Sequence, residues 1–258
     1  MSRKIPWIGT SWKMNKVRSE ARAFATELKA SPAAKTMAAQ PFVIPPFPYI
    51  AEVADILAGT RVRTGAQTMH WDDHGAWTGE ISPPMVKDCG ATMVELGHSE
   101  RRTYFNETDE TVALKVKAAL KHGLLALVCI GDTRTEYDAG RTAEVLERQT
   151  RAALSLVGKD APGKVVIAYE PVWSIGEGGV PADPDFANHQ HKRIKAVTAD
   201  VTGTELPVLY GGSVNPLNCQ GLARRSHIDG LFIGRSAWDA KGYIAIIEAV
   251  ISALGETP

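Results

Sequence analysis

Three side chains suited to proton chemistry stand just behind three short apolar runs of this 258-residue chain: Lys13, His98 and Glu170. Glu170 closes the β-branched run 165–170, which reads as a buried strand. Pro171 stops that run, because it lacks a backbone donor and fixes φ. Behind it, Val172, Trp173 and Ile175 give a stiff apolar middle, and Gly176, Glu177 and Gly178 a permissive far end. Such a stretch is written like a lid beside a general base that works with water excluded. Two further runs end in glycine-containing turns, Gly211-Gly-Ser213 and Gly234-Arg-Ser236. Backbone N–H groups in such turns, helped by a helix start, hold a phosphate dianion. A base, an imidazole electrophile, a cation and a phosphate cradle together suit proton abstraction beside the carbonyl of a small sugar phosphate. Each residue alone says little, since strand-end carboxylates and lysines are usually solvated or paired. Their weight comes from meeting in one fold.

Eight strand-like runs must do that positioning: 5–10, 42–45, 61–66, 92–96, 124–130, 165–170, 207–210 and 228–233. Amphipathic stretches separate most of them, at 19–29, 109–121, 142–156, 185–199 and 240–253. In the last, Tyr243, Ile246, Ile247, Val250 and Ile251 form a stripe at helical spacing. Strand–helix alternation calls for a parallel sheet, and eight units in this length predict a single-domain (β/α)8 TIM barrel over 1–258. The alternative is an open, doubly wound sheet. It would normally carry a glycine-rich dinucleotide turn after the first strand, which Gly9-Thr-Ser-Trp-Lys13 is not. The alanine-rich patch 32–39 reads as a surface loop or helix end. In such a barrel the site gathers where strand C-termini meet the loops.

Composition narrows the partners. Lys plus Arg and Asp plus Glu are both 29, so no basic excess points to nucleic acid or a membrane surface. No apolar run approaches a transmembrane length, and the first residues lack a signal-peptide core. Three scattered cysteines, Cys89, Cys129 and Cys219, fit a reducing cytoplasm, with Cys129 a small buried hydrophobe.

Several blocks, taken in order, resemble the triosephosphate isomerase family from end to end. They are Ser11-Trp-Lys-Met-Asn15, Gly65-Ala-Gln67, Gly75-Ala-Trp-Thr-Gly-Glu-Ile-Ser82, Glu95-Leu-Gly-His-Ser-Glu-Arg-Arg102, 169–178, 210–216 and Asp229-Gly-Leu-Phe-Ile-Gly234. Members of that family combine pKa tuning with loop closure, and the resemblance implies the same roles here. The resemblance implies that Glu170 is the base and that His98, as a neutral imidazole, polarises the carbonyl. Lys13 would face the developing enediolate and the phosphate, with Glu100 anchoring it. Gly176, Ser213 and the backbone around Gly234 would grip the phosphate. No cofactor or metal is implied. The loop 67–80 would project into a twofold partner, making a homodimer with Met69, Trp71 and Trp77 as anchors and Thr78 reaching the partner's site.

Four positions depart from the family pattern. Ser11 and Thr68 replace asparagines, Glu177 replaces a small hydroxyl residue in the lid, and Arg235 replaces the second glycine of the last phosphate turn. Arg235 still offers its backbone N–H, and its side chain could pair with Glu177 when the lid closes. Ser11 is shorter than asparagine and leaves space beside the reacting carbons. A triose phosphate with one terminal hydrogen replaced by CH2OH would fit that space. The implied reaction converts L-erythrulose 1-phosphate to D-erythrulose 4-phosphate, as in the erythrulose-phosphate isomerase subgroup of tetritol catabolism. Ordinary triose phosphate isomerisation stays open, as does a barrel that only binds a sugar phosphate. His70 and His74, near Asp72 and Asp73, lack further ligands at metal spacing. The acidic residues at 107–110 read as a helix start.

Overall fold

The computed structural model describes residues 5–176 and 179–255. Eight parallel strands run in chain order: β1 (Trp7–Ser11), β2 (Gln40–Ile44), β3 (Arg63–Ala66), β4 (Met93–Leu96), β5 (Leu125–Ile130), β6 (Val165–Tyr169), β7 (Val208–Tyr210) and β8 (Gly230–Ile233). Each pairs with the next, and β8 pairs back with β1 through Trp7 opposite Gly230. Closure removes both sheet edges and excludes the open doubly wound alternative.

Two apolar layers follow from the two-residue period of a strand. On β5, Leu125, Leu127 and Cys129 point into the barrel, where they meet Phe42, Met93 and Val166. The alternate residues Ala126, Val128 and Ile130 face outward, onto the helix layer. Gly9 on β1 makes room for the Phe42 ring; a Cβ there would lie 2.1 Å from it. The helix Ala240–Ala253 buries the expected stripe of Tyr243, Ile246, Ile247, Val250 and Ile251. The Tyr243 hydroxyl donates to the Ile8 carbonyl at 2.7 Å, tying that helix to β1. The alanine patch proves to be packing rather than surface: Ala33, Ala34 and Ala39 are fully buried. Small side chains let the backbone there come close to its neighbours. Among the described residues, no helix is long and apolar enough to cross a membrane.

Candidate active site

The inward-facing positions at the C-terminal ends of the strands converge on one mouth. Lys13 lies two residues beyond β1, in the left-handed region at φ 52°, where a non-glycine residue is strained. Gln67 holds it there by donating Nε2 to the Lys13 carbonyl at 2.8 Å. The Lys13 ammonium donates to Glu100 Oε1 at 2.6 Å. Both partners are partly exposed, so the pair fixes a direction for the charge more than it adds stability.

His98 follows β4 after Gly97, whose φ of 74° suits glycine. It caps the helix Ser99–Tyr104: its Nδ1 accepts the Glu100 N–H at 3.2 Å. An accepting Nδ1 carries no proton, so the ring is neutral with its proton on Nε2. Nε2 points toward Glu170 Oε1, 3.3 Å away.

Glu170 is the first residue after β6, and its N–H donates to the Ile130 carbonyl at 2.7 Å. Gly131 passes so close that a Cβ there would lie 1.8 Å from the Glu170 carbonyl oxygen. The carboxylate accepts the Ser99 N–H at 3.3 Å and is 2 % exposed.

A second buried carboxyl, Glu95, joins them, one to which the sequence assigned no role. It occupies the inward position of β4 two residues above Met93, and is 2 % exposed. Ser11 Oγ donates to its Oε2 at 2.9 Å, and its Oε1 lies 3.8 Å from His98 Nε2. Burial pushes its pKa up to about 7; Glu170 adds to the rise, while His98, the Ser11 hydrogen bond and Lys13 oppose it. The one available signal was an acidic residue inside a four-residue apolar strand. Nearby Cys129 is fully buried, and burial, then Glu170 and Glu95, pushes its thiol well up, so it sits as an inert small hydrophobe. Glu95, His98 and Glu170 offer three ligand atoms within 4.8 Å of one another, so a divalent ion could in principle be held there. The ring proton on Nε2, directed at Glu170, instead suits a proton path.

A cavity of about 410 Å³ runs from this cluster across the mouth. Ser11, Lys13, His98 and Glu170 line it together with Gly211, Gly212, Ser213, Gly234 and Arg235. Nothing would meet a Cβ at Gly234, which therefore faces open space. Arg235 opens the turn Arg235–Ala237 and is exposed. The N-terminal part of the lid is docked. The Ser213 N–H donates to Ser174 Oγ at 3.2 Å, and Trp173 Nε1 donates to Asp132 Oδ2 at 3.3 Å. Val172 donates its N–H to the Asp132 carbonyl at 3.0 Å, and Gly176 has φ 88°. Glu177 and Gly178 lie outside the described residues, and with them the expected Glu177–Arg235 pair.

The remaining expected positions divide. Thr68 is buried and accepts from Lys115 Nζ at 3.1 Å. Lys115 also pairs with Glu107, which in turn pairs with Arg101. Glu107 is thus a buried ion-pair partner, and the helix it precedes is capped by Thr108. Met69 is fully buried in this chain's own core, so it offers nothing to a partner. Trp71 is half-buried, while Trp77 and Thr78 are exposed. His70 stacks on Trp71, and its Nδ1 accepts the Asp72 N–H at 2.9 Å.

Comparison with known proteins matches residues 6–250 to the family model described as triosephosphate isomerase. A protein of Brucella abortus biovar 1 (strain 9-941), named L-erythrulose-1-phosphate isomerase, is 56% identical over 93% of this chain and 94% of its own length. Proteins of the same name from Rhizobium meliloti (strain 1021) and Mesorhizobium japonicum are 53% and 52% identical, each over 98% of this chain and all of their own length.

Proposed function

Since the chain belongs to the triosephosphate isomerase family, we propose that it isomerises L-erythrulose 1-phosphate to D-erythrulose 4-phosphate. The observation that carries this reading is the convergence of Lys13, His98 and Glu170 on a cavity that is also lined by glycine-rich turns. The names of relatives more than half identical favour the four-carbon substrate. The phosphate settles against Ser213, Gly212 and the backbone at Gly234, which brings the carbonyl at C2 to His98 and Lys13. Substrate entry displaces the Glu170 carboxylate from the Ser99 N–H. Glu170 then takes the proton from C3, and the C3–H electron pair forms the C2–C3 double bond of an enediolate. His98 Nε2–H gives its proton to the oxygen on C2 and recovers one from the oxygen on C3. Lys13 offsets the developing negative charge. Glu170 returns its proton to C2, leaving the carbonyl on C3. The carbon skeleton, counted from the other end, is then the 4-phosphate.

A direct comparison of kcat/KM on L-erythrulose 1-phosphate and dihydroxyacetone phosphate tests the substrate. Preference for the four-carbon compound is expected, and preference for the triose would replace this reading with ordinary triose phosphate isomerisation.

The same reading extends to a twofold pair. Exposed Trp77, whose Nε1 donates to Asp72, stiffens the tip of the 67–80 loop. Met14, Tyr104 and Phe105 expose an apolar rim beside the mouth. A tip and a rim on one chain make a self-complementary, closed contact. Trp77→Glu should shift the sedimentation mass toward the monomer, and an unshifted mass would remove Trp77 from the contact.

A further inference from the structure

We propose that Glu95, together with Ser11, forms a subsite for the terminal hydroxymethyl group of the substrate and sets the choice of a four-carbon over a three-carbon sugar phosphate. The inference rests on the isomerase reading above and names the part of the site that reading leaves open. A second cavity, of about 190 Å³, adjoins the first. The two share Ser11, Lys13 and His98 as common wall, and Glu95 lines the second but not the first. A substrate whose phosphate lies at Ser213 and Gly234, and whose carbonyl meets His98 and Lys13, therefore has its far carbon directed past Ser11. A triose ends there. A tetrulose carries one more carbon and one more hydroxyl.

The wall it meets is polar by construction. Glu95 is buried in a strand whose inward neighbour, Met93, belongs to the barrel's apolar centre. Burying a carboxyl there costs free energy unless hydrogen bonds compensate it. Ser11 supplies one bond, to Oε2. Oε1 stands 3.8 Å from His98 Nε2, beyond hydrogen-bonding reach. It is thus available to a hydroxyl arriving between Ser11 and His98. With its pKa lifted to about 7 by burial, the carboxyl is largely protonated below that pH. It can then donate to the hydroxyl oxygen, and it puts no full negative charge beside Glu170 and the enediolate. The groups that set its protonation come from three strand ends: Lys13 after β1, His98 after β4 and Glu170 after β6. The subsite uses only the inner wall, and so does not depend on what covers the rim at Met14 and Phe105.

The test replaces Glu95 by Gln, which keeps shape and hydrogen bonding, and by Val, which removes both polar atoms. Each variant and the wild type are assayed on L-erythrulose 1-phosphate and on dihydroxyacetone phosphate. Inhibition by erythritol 4-phosphate and by glycerol 3-phosphate, unreactive polyol phosphates, reads binding alone. Losing a hydrogen bond in a built polar site should lower Glu95→Val on the four-carbon substrate roughly 10–100-fold more than on the three-carbon one. The loss should appear mainly in KM, and the preference for erythritol 4-phosphate over glycerol 3-phosphate should fall by a similar factor. Glu95→Gln should keep most of both preferences. Equal losses on both substrates, with inhibitor preference intact, would show a structural or proton-relay role and overturn the subsite. A wild type active only on the triose would overturn the substrate reading and the subsite together, a result distinct from the first. If Glu95→Val does not fold, the inhibitor ratio of Glu95→Gln against that of Glu95→Ser decides the matter.

Discussion

The two ends of the site, one in each of the adjoining cavities, are built on opposite principles. At the proposed phosphate end the wall is glycine and backbone: Gly211, Gly212 and Gly234, with Ser213 tied to the lid through Ser174. At the other end it is side chain: Ser11 bonded to Glu95, and Thr68 bonded to Lys115. A dianion is recognised by converging N–H groups, which most substitutions leave in place. A hydroxymethyl group is neutral, so only the identity of nearby side chains can tell its presence from its absence. Exposed side chains at the phosphate end should therefore tolerate change, whereas its closely packed Gly211 and Gly212 and the side chains of the far end should not. Between them sits the chemistry common to both substrates.

The largest effect should come from that common centre. Glu170→Gln removes the base while nearly preserving shape. We expect kcat to fall by about 10³–10⁴ on either substrate, a loss typical of a missing general base, with inhibitor binding changed only a few-fold. Stopped-flow or coupled assays measure the first, and titration with glycerol 3-phosphate the second. A Glu170→Gln enzyme that kept more than a tenth of its rate would place the base elsewhere, with Glu95 the next candidate.

The second effect concerns stability at the far end. The folded chain holds the Glu95 proton up to about pH 7, whereas the unfolded chain releases it near the ordinary value of 4.5. Between those limits the native state binds more protons, so stability falls as pH rises from 4.5 to 7 and then levels off. Glu95→Gln does not titrate. Its stability relative to the wild type should rise across that window, to a gain on the order of 3 kcal/mol by pH 8. Urea unfolding at pH 5 and pH 8 measures the difference. A pH-independent difference would mean that Glu95 is ionised in the folded protein, and would weaken its contrast with the backbone-built phosphate end. The same ledger runs the other way for His191. Burial is the main cause lowering its pKa to about 3, so a neutral ring must charge as acid unfolds the chain. That contribution is lost as pH falls below 6.5.

A third test cuts across the comparison. Gly211 belongs to the phosphate turn, yet a Cβ there would lie 2.9 Å from Glu170 Cγ. Gly234 belongs to the same wall, and its Cβ would meet nothing. Gly211→Ala should therefore displace the base and lower kcat by about 10²-fold, the scale of a small misplacement of a reacting group. Gly234→Ala should displace no neighbouring atom and act through KM, by roughly 10-fold. Similar effects of the two on KM would show that the glycines act only as a phosphate cradle.

Much of this layout was legible in the sequence, for a physical reason. Lys13, His98, Glu170 and the two turns each follow an apolar run, and strand ends in a parallel barrel must meet. Glu95 escaped notice because its meaning depends on register. Whether the second or third residue of Met-Val-Glu-Leu points inward is decided by pairing with β3 and β5, and its partner Ser11 is 84 positions away. Glu107 escaped for a similar reason. A charge before a helix reads as a dipole partner until Lys115 and Arg101 are seen to close on it. Met69 failed in the opposite sense, since an apolar residue on a projecting loop suggests a partner, but here the loop's base folds it under.

The smallest effect should be that of Arg235, and it probes the comparison most sharply. This residue puts a long cation at the rim of the proposed phosphate wall, and its side chain is exposed to solvent. Its backbone still opens the turn Arg235–Ala237, with the Ala237 N–H donating to the Gly234 carbonyl at 2.9 Å. If backbone geometry holds the phosphate, Arg235→Ala loses only a solvent-screened attraction, worth no more than about 1 kcal/mol. KM should then rise by less than about 5-fold, and the rise should shrink as salt is raised toward 0.5 M. Arg235→Gly, which restores backbone freedom as well, should behave like Arg235→Ala. A rise of 100-fold that persists in salt would mean that the guanidinium clamps the dianion directly. The phosphate end would then depend on side-chain identity as much as the Ser11–Glu95 end does.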